Sequence, residues 1–521
     1  MRVMPSVHNI APVAELIAAQ ARRRPDAPAI EGARDGARIS FARLQAVAAH
    51  WERALEGVGS GSGRVAIDVE DPVACALMFL VVLACGRCAV PVDPHAPLAE
   101  RERHVEATRP DLVVCDRPDR AQPAGLRCWS TGLVFLGVSE PRGAEAVDAT
   151  VETRQAVDEC EPTGQGTGAA GVGSVLLLTS GSTGSPKAVE LDAARLLYGA
   201  RAVAGHHQLC PDDRGYNSLP LWHINAEVVA VLSGLVAGAT VVLDRRGRRD
   251  EFWDLVVERD ITWINAVPAL LARLVEEPPT RRPPRLRFVR SASAPLPAAV
   301  RERVHGLLGV PVLESYGMTE AASQITAAPL DGSGPVGSCG HAVAVSISVR
   351  SPDGDELPAG QIGQIWIRGP GVITGYSDGR GADRFDRAGW LQTGDMGWRD
   401  AGGYLFLVGR RDDVINRGGE MLYPREIEEV LVAASGVGEA VVVGEHDPVL
   451  GQQPVAYVVP TKAGLSGAAE QALRQRIDRH CAHALVRAKR PTAVRLVPEL
   501  PRASTGKVQR HRLTDPGRGR V

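Results

Sequence analysis

Five short segments of this chain carry residues whose types and spacing could do chemistry. The first runs Thr179-Ser180-Gly181-Ser182-Thr183-Gly184-Ser-Pro-Lys187. Its small residues let successive backbone N–H groups close on an anion, its hydroxyls add donors, and its lysine supplies positive charge. Only two residues separate Gly181 from Gly184, so it lacks the register of a Walker loop. Lysine is itself scarce: four of the 59 basic residues are lysine, namely Lys187, Lys462, Lys489 and Lys507. An ammonium is compact and mobile where a guanidinium is a planar fork, so lysine is retained where that difference matters. Lys187 and Lys507 both sit in glycine-punctuated loops, the second in Pro501-Arg-Ala-Ser-Thr-Gly-Lys507. Lys462 and Lys489 read as surface residues.

The other three segments are carboxylate-bearing. Glu314-Ser315-Tyr316-Gly317-Met-Thr319-Glu320 offers an aromatic to stack a base, a glycine to turn, a hydroxyl for phosphate and a carboxylate for Mg²⁺. A hairpin or the start of a helix would produce the same string. Gly389-Trp-Leu-Gln-Thr-Gly-Asp395 places an Asp after a tight turn, where it can accept two ribose hydroxyls or simply be solvated. The segment from Gly409 to Glu428 reads as a polar hinge, a strand, the Gly418-Gly419 turn and a helix opened by Pro424.

These segments need a scaffold, and the pattern predicts one of class α/β. Over the first 130 or so residues helical and strand patterns alternate: helices at 13–21 and 73–85, strands at 64–69, 89–92 and 112–115. The stretch 145–173 turns acidic and then Gly/Thr-rich, as a surface connection does. An apolar strand at 175–178 feeds the first loop. Further helices fall at 228–235 and 252–259, with strands at 240–243 and 261–265. From 345 to 404 short strands alternate with Gly and Pro, which predicts a β-rich subdomain. After the charged turn at 409–413 the alternation resumes, with a helix at 425–432 and a strand at 440–443.

At 521 residues the chain exceeds one compact core. Fifty-nine basic and 61 acidic residues leave a net charge of −2, which gives no electrostatic reason to bind nucleic acid. The cluster Arg245-Arg246-Gly-Arg248-Arg249 is flanked by Asp244 and Asp250 and reads as a solvated turn. Nine scattered cysteines argue for a reducing compartment, and Cys85 and Cys88 lack a second pair for zinc. The run 73–85 is too short to span a bilayer, and the N-terminus shows no signal pattern. A cytoplasmic protein with no membrane span is expected.

In this order the five segments resemble the adenylate-forming superfamily of acyl-CoA synthetases, peptide-synthetase adenylation domains and luciferases. The resemblance extends from Arg24-Pro-Asp-Ala-Pro-Ala-Ile30 to Arg510. It implies a large N-terminal domain (1–408) of layered α/β subdomains plus the β-rich subdomain, a hinge (409–412) and a small mobile α+β C-terminal domain (413–521). It implies that Thr179, Ser180, Gly181, Ser182, Thr183, Gly184 and Lys187 grip ATP phosphates. Ser293, Ala294 and Pro295, in Ser291-Ala-Ser-Ala-Pro295, would lie against adenine, although the family more often has Gly at the second or third position. Tyr316, between Ser315 and Gly317, would stack on adenine, Thr319 would meet the α-phosphate and Glu320 would hold Mg²⁺. Asp395 and Arg410 would bind ribose. Asp412 would be the pivot, Gly418 and Gly419 would admit a pantetheine arm, and Lys507 would serve adenylation.

The implied reaction joins a carboxylic acid to AMP with release of pyrophosphate, then passes the acyl group to the thiol of CoA. His223, in Leu219-Pro-Leu-Trp-His-Ile-Asn-Ala226, matches the position beside the substrate carboxylate, or is a packed histidine capping a helix. No Asp stands near it to hold an ammonium, and the helix carrying Glu227, the one substitute, is expected to point it elsewhere, so α-amino acids are disfavoured. The apolar run 228–232 and the small Ala321-Ala-Ser323 point to an apolar or bulky ring-containing acid, unless that stripe is core. Two alternatives stay open: an acyl-AMP ligase loading a separate phosphopantetheinyl carrier protein, which the Arg- and Ala-rich composition suits as secondary metabolism, and a non-catalytic nucleotide-binding module. Oligomeric state is left open.

Overall fold

In the computed structural model, which describes residues 12–56, 63–116, 127–130, 173–179, 187–245, 251–502 and 508–514, the apolar run after Pro72 is the helix Pro72–Ala84. Asp71 caps it, accepting from the Ala74 N–H at 2.8 Å, and Pro72 fills the first turn, where no N–H is needed. Every residue from Val73 to Leu83 is buried. Each Leu, Val or Phe so placed stabilises the fold by about 1.5–3 kcal/mol. Among the described residues no helix is long and apolar enough to cross a membrane.

That helix packs between two sheets. The larger has nine strands in the order His341–Ala342, Ser323–Ala327, Val312–Met318, Phe288–Ser291, Trp263–Ala266, Arg214–Asn217, Thr240–Leu243, Pro28–Gly32 and Arg38–Ser40. The strands from Val312–Met318 to Pro28–Gly32 run parallel, with antiparallel strands at both margins. Parallel strands are covered on both faces, which is why their sequences are continuous apolar runs. The second sheet, of six strands, includes Arg64–Asp68, Cys88–Pro91 and Leu112–Cys115 as expected. It ends in the antiparallel pair Ser174–Thr179 and Lys187–Asp192. The β-rich stretch forms a four-stranded antiparallel sheet, Ser346–Arg350, Gly363–Arg368, Leu391–Arg399 and Leu405–Arg410.

Beyond Arg410 a smaller α+β lobe has its own core, in which Ile415, Leu422, Ile427, Leu431, Val442 and Ile477 meet. Its sheet contains Ile415–Arg417, Glu420–Leu422, Val437–Asp447, Gly451–Pro460 and Ala493–Leu496, with the helices Pro424–Ala433 and Ala468–Ala484. The whole is an α/β protein with a large N-terminal and a smaller C-terminal domain.

Two local expectations change. The helix expected at 228–235 is a π-helix, Asn225–Leu232, continued by the α-helix Ser233–Ala237. The wider turn re-aims its side chains, and Glu227 is completely buried. Asp244 is not solvated: it is 6% exposed and accepts from Arg34 Nε and the Tyr216 hydroxyl, both at 3.0 Å. Lys489 lies at the surface as expected, where its Nζ reaches both oxygens of Glu426 at 2.7 and 2.8 Å. The connection over 145–173 lies, except for Gly173, outside the described residues, as do 246–250.

Candidate active site

The carboxylate segments converge because each lies on a hairpin. Val312–Met318 and Ser323–Ala327 pair antiparallel, and the turn between them is a 3₁₀ helix, Thr319–Ala321. Gly317 is required there: a Cβ would stand 1.6 Å from the Ser323 carbonyl oxygen. Ala322 and Ser323 take φ of 48° and 83°, backbone strain of a kind that collects at functional sites. Asp395 and Arg410 are direct partners across the strands Leu391–Arg399 and Leu405–Arg410.

Two polar clusters result. In the first, the Tyr316 hydroxyl donates to Asp395 Oδ2 at 2.6 Å, and Arg410 Nε pairs with Asp395 Oδ1 at 3.0 Å. Burial, reinforced by the Asp395 carboxylate, holds the Tyr316 hydroxyl well above its ordinary range, so it stays a donor. The same carboxylate raises Arg410. A carboxylate has about four acceptor positions, so Asp395 keeps capacity for a diol. In the second cluster Glu320, 5% exposed, accepts from the Tyr376 hydroxyl at 2.8 Å and stands 3.7 Å from Arg384 Nη1. Arg384 also donates to the Tyr376 hydroxyl and to the Gln392 carbonyl. Lys187 Nζ lies 5.0 Å from the centre of the Tyr376 ring. A Cβ at Gly394 would be 3.7 Å from Arg384 and 3.9 Å from Arg410, which brings the two clusters side by side.

The segment after Gly371 binds the second cluster together. Ile373 N–H donates to the Glu320 carbonyl at 2.9 Å, Ser377 N–H to the Ala188 carbonyl at 3.0 Å, and Ala188 N–H to Asp378 at 3.1 Å. One glutamate, one arginine and one lysine sum to net positive charge, which suits a polyanion. Among the described residues Glu320 Oε2 accepts no hydrogen bond, and no cluster of three or more potential metal ligands exists. That fits Mg²⁺, which keeps its waters and binds through one carboxylate plus substrate phosphates rather than in a protein cage.

The first loop is the turn of the hairpin Ser174–Asp192: Thr179 stands opposite Lys187, and Thr179 Oγ1 donates to the Lys187 carbonyl at 3.3 Å. Among the described residues the element that follows the loop is a strand, Lys187–Asp192. Ser180, Gly181, Ser182, Thr183 and Gly184 lie outside the described residues, and so does Lys507. The base of the Lys507 loop is described: Arg502 bridges Val508, and Gln509 N–H donates to the Pro501 carbonyl at 2.8 Å. Arg510 then pairs with Glu428 at 2.6 Å and with Asp413 at 3.4 Å. Asp412 lies in the 3₁₀ turn Arg411–Asp413 between the large and small domains. Gly418 and Gly419 have φ of 62° and 92° and form the two-residue turn of the hairpin Ile415–Leu422. Their N–H groups bond within the small domain, to the Leu450 carbonyl and Asn416 Oδ1.

Ser293, Ala294 and Pro295 form an exposed loop after the strand Phe288–Ser291. Ser293 takes φ of 71°, where the resembled family more often has Gly. Ser315 is buried and donates to the Ser291 carbonyl at 3.3 Å. Thr319 opens the 3₁₀ turn before Glu320. His223 is half-buried, and its carbonyl accepts the Ala226 N–H at 3.0 Å as the π-helix begins. Asn225, two residues on, donates to Ser293 Oγ at 3.3 Å and, through Oδ1, accepts from Asn265 and from Arg290. Arg290 is 2% exposed. Sequence reasoning missed Tyr376, Arg384 and Arg290. For Arg290 a signal existed: a lone cation inside the apolar strand string Phe288-Val-Arg-Ser291.

Known proteins share this layout. The chain is 35% identical over 508 residues to the sulfoacetate–CoA ligase of Cupriavidus necator, covering 96% of this chain and 97% of that one. It is 30% identical over 459 residues to the oxalate–CoA ligase of Arabidopsis thaliana, covering 86% and 87%. Among solved structures, o-succinylbenzoate CoA synthetase of Bacillus subtilis with its acyl-adenylate superposes with a TM-score of 0.81 at 27% identity, covering 98% and 99%. The family model of the AMP-binding enzymes matches residues 17–377, and that of the AMP-binding enzyme C-terminal domain matches 426–507. With its two carboxylate clusters side by side and its sequence matched over both domains, the chain belongs to the AMP-binding enzyme family.

Proposed function

We propose that the protein is an AMP-forming acid–CoA ligase. It activates a carboxylic acid with ATP, releases pyrophosphate, and passes the acyl group from AMP to the thiol of CoA. The observation that carries this reading is the convergence of Glu320, Tyr376, Arg384 and Lys187 beside Tyr316, Asp395 and Arg410. A base platform, a diol acceptor, a metal-ready carboxylate and two cations then face one polyanion.

A carboxylate is a poor electrophile, and its attack on the α-phosphate of ATP brings an anion to a polyanion. The barrier is therefore largely electrostatic and positional. Glu320 would hold the Mg²⁺ that accompanies ATP, which would neutralise phosphate charge. Asp395 and Arg410 fix the ribose, Tyr316 supports the adenine, and Thr319 meets the α-phosphate. His223 orients the acid. Lys187 and the loop 179–184 hold the outer phosphates, and Lys507 adds charge as pyrophosphate leaves. Removing one such preorganised group typically costs about 2.7–4 kcal/mol. For thiolysis the small domain turns about Asp412, withdrawing Lys507 and bringing Gly418 and Gly419 to the thiol route. Glycine at both positions suits a close-passing pantetheine arm.

The protein acts in the cytoplasm, where both nucleotides are found. The test is acid-dependent exchange of pyrophosphate into ATP across a panel of acids, followed by CoA-dependent release of AMP. Transfer to a phosphopantetheinylated carrier but not to CoA would favour the carrier-loading alternative. Nucleotide binding without exchange on any acid would overturn the ligase reading.

A further inference from the structure

Bonded to Asn225, two residues beyond His223, is a buried charge that the reaction above does not use. Arg290 reaches inward from the parallel strand Phe288–Ser291 and is 2% exposed. Its Nη1 donates to Asn265 Oδ1 at 2.9 Å and Asn225 Oδ1 at 3.3 Å, and its Nη2 to Gln324 Oε1 at 3.2 Å. All three acceptors are neutral amides. Among the described residues no carboxylate pairs with Arg290. A guanidinium has five N–H donors, so two remain, and Nε is buried without an acceptor. The Gln324 Nε2 and Ser291 Oγ atoms are also buried without partners.

Buried cations are almost always paired, because desolvation penalises the charged form. Here burial alone lowers the Arg290 pKa to about 9. The fold has an acid close by in sequence and does not use it. Glu227 lies on the π-helix two residues beyond Asn225, and neither of its buried oxygens meets a donor. Burial holds that carboxyl well above its ordinary range, and neither of its oxygens bonds to Arg290. The remaining neighbours are cationic or neutral: the His206 and His207 rings are both depressed by burial, then by Arg290. Asn225 is half-buried and bonds both Arg290 and the exposed Ser293, so it stands between the buried guanidinium and the surface.

We propose that Arg290 receives a second anionic group of the substrate, so that the acid activated here carries a further carboxylate or a sulfonate beside the carboxylate that is adenylated. The anion enters past Asn225 and replaces its amide on the guanidinium, with Gln324 and Ser291 supplying further donors. This deepens the ligase reading and rests on it. It also replaces the apolar acid expected from the run 228–232, whose Val228 to Leu232 are buried as core.

The test measures pyrophosphate exchange with malonate, succinate and sulfoacetate against propionate and butyrate. In the wild type, kcat/KM for the best doubly charged acid exceeds that for the singly charged one by on the order of 10² or more, since sites built for a polar group reject analogues that lack it. Malonate and succinate against sulfoacetate decides between carboxylate and sulfonate. In Arg290→Gln that ratio collapses towards one, and Arg290→Lys restores part of it. Equal use of both acid classes by the wild type overturns the proposal, as does an unchanged ratio in a folded Arg290→Gln. Melting of the AMP-bound protein is followed with the same acids, independently of turnover. If no acid supports exchange yet malonate or sulfoacetate stabilises wild type and not Arg290→Gln, the ligase reading fails and the anion site stands. If doubly charged acids have no effect in either assay, the site falls.

Discussion

The hydroxyl of Tyr376 joins Glu320 to Arg384, and removing it alone tests whether that junction prepares the metal-binding carboxylate. In Tyr376→Phe the ring stays, with its packing against Phe385 at 6.1 Å and the Lys187 ammonium at 5.0 Å. What is lost is a 2.8 Å donor to Glu320 Oε1. A hydrogen bond to a charged group is worth about 1.5–3 kcal/mol, and each 1.36 kcal/mol is tenfold in rate. The lower half of that range applies here. Arg384 remains anchored by two bonds to the Gln392 carbonyl, at 3.0 and 2.6 Å, and still stands 3.7 Å from Glu320. We expect kcat/KM for MgATP in the exchange reaction to fall about 10- to 50-fold, with the deficit growing as free Mg²⁺ is lowered. Affinity for AMP, which does not require the metal, stays within about twofold. Tyr316→Phe is the mirror control: it removes the 2.6 Å bond to Asp395 and weakens AMP itself. If Tyr376→Phe leaves exchange within about threefold, or weakens AMP as much as MgATP, then the hydroxyl does not position Glu320 for a metal.

Three further outcomes are expected. Burial, the largest cause, raises the Glu314 pKa from 4.5 to about 7, so the native state holds the proton that the unfolded chain releases. The stability from this group is full below its unfolded pKa and is lost as pH rises through about 7, by on the order of 3 kcal/mol; Glu314→Gln should flatten that fall in urea midpoints between pH 5 and 8, and an unchanged slope would assign it elsewhere. Lys507→Ala should lower adenylation by about 10²–10³ yet leave CoA attack on a supplied acyl-adenylate nearly intact, whereas equal loss of both half-reactions would refute a pivoting small domain. Ser293→Gly relieves a φ of 71° at the cost of a 3.3 Å bond from Asn225; a gain of up to about 1 kcal/mol in unfolding free energy is expected, and a loss would mean that the Asn225 bond outweighs the strain.

The parts of this fold that sequence exposes are those where backbone chemistry leaves a mark. Pro72 and Asp71 bound a helix whose every side is apolar, and the paired Gly418-Gly419 can hardly be anything but a tight hairpin turn. Asp395 and Arg410 stand face to face across two strands, a pairing that the sequence did not expose and only the structure gives. Tyr376 and Arg384 left no such mark. Tyr376 is 56 residues from Glu320, and only the return of the chain over the hairpin Ser174–Asp192 brings it back. The π-helix was hidden for a different reason: Val228 to Leu232 is apolar at every position, so no periodicity distinguishes one helical turn from another.

Arg290 was hidden by its own residue type, because arginine in an arginine-rich chain reads as surface. Its surroundings separate the two halves of the cleft in physical terms. On the nucleotide side the charges are already matched, Arg410 with Asp395 and Arg384 with Glu320. Such pairs fix geometry, and the net positive charge beside them comes from Lys187. On the acid side the desolvation cost of the guanidinium has been incurred and only amide dipoles offset it. Exchanging an amide for an anion there recovers Coulomb energy without a second desolvation of the cation. An aspartate at position 225 would capture that energy permanently and close the site, whereas asparagine holds the cation in place and can be displaced. Selectivity for the acid therefore resides in the unmatched charge, and preorganisation for ATP in the matched ones.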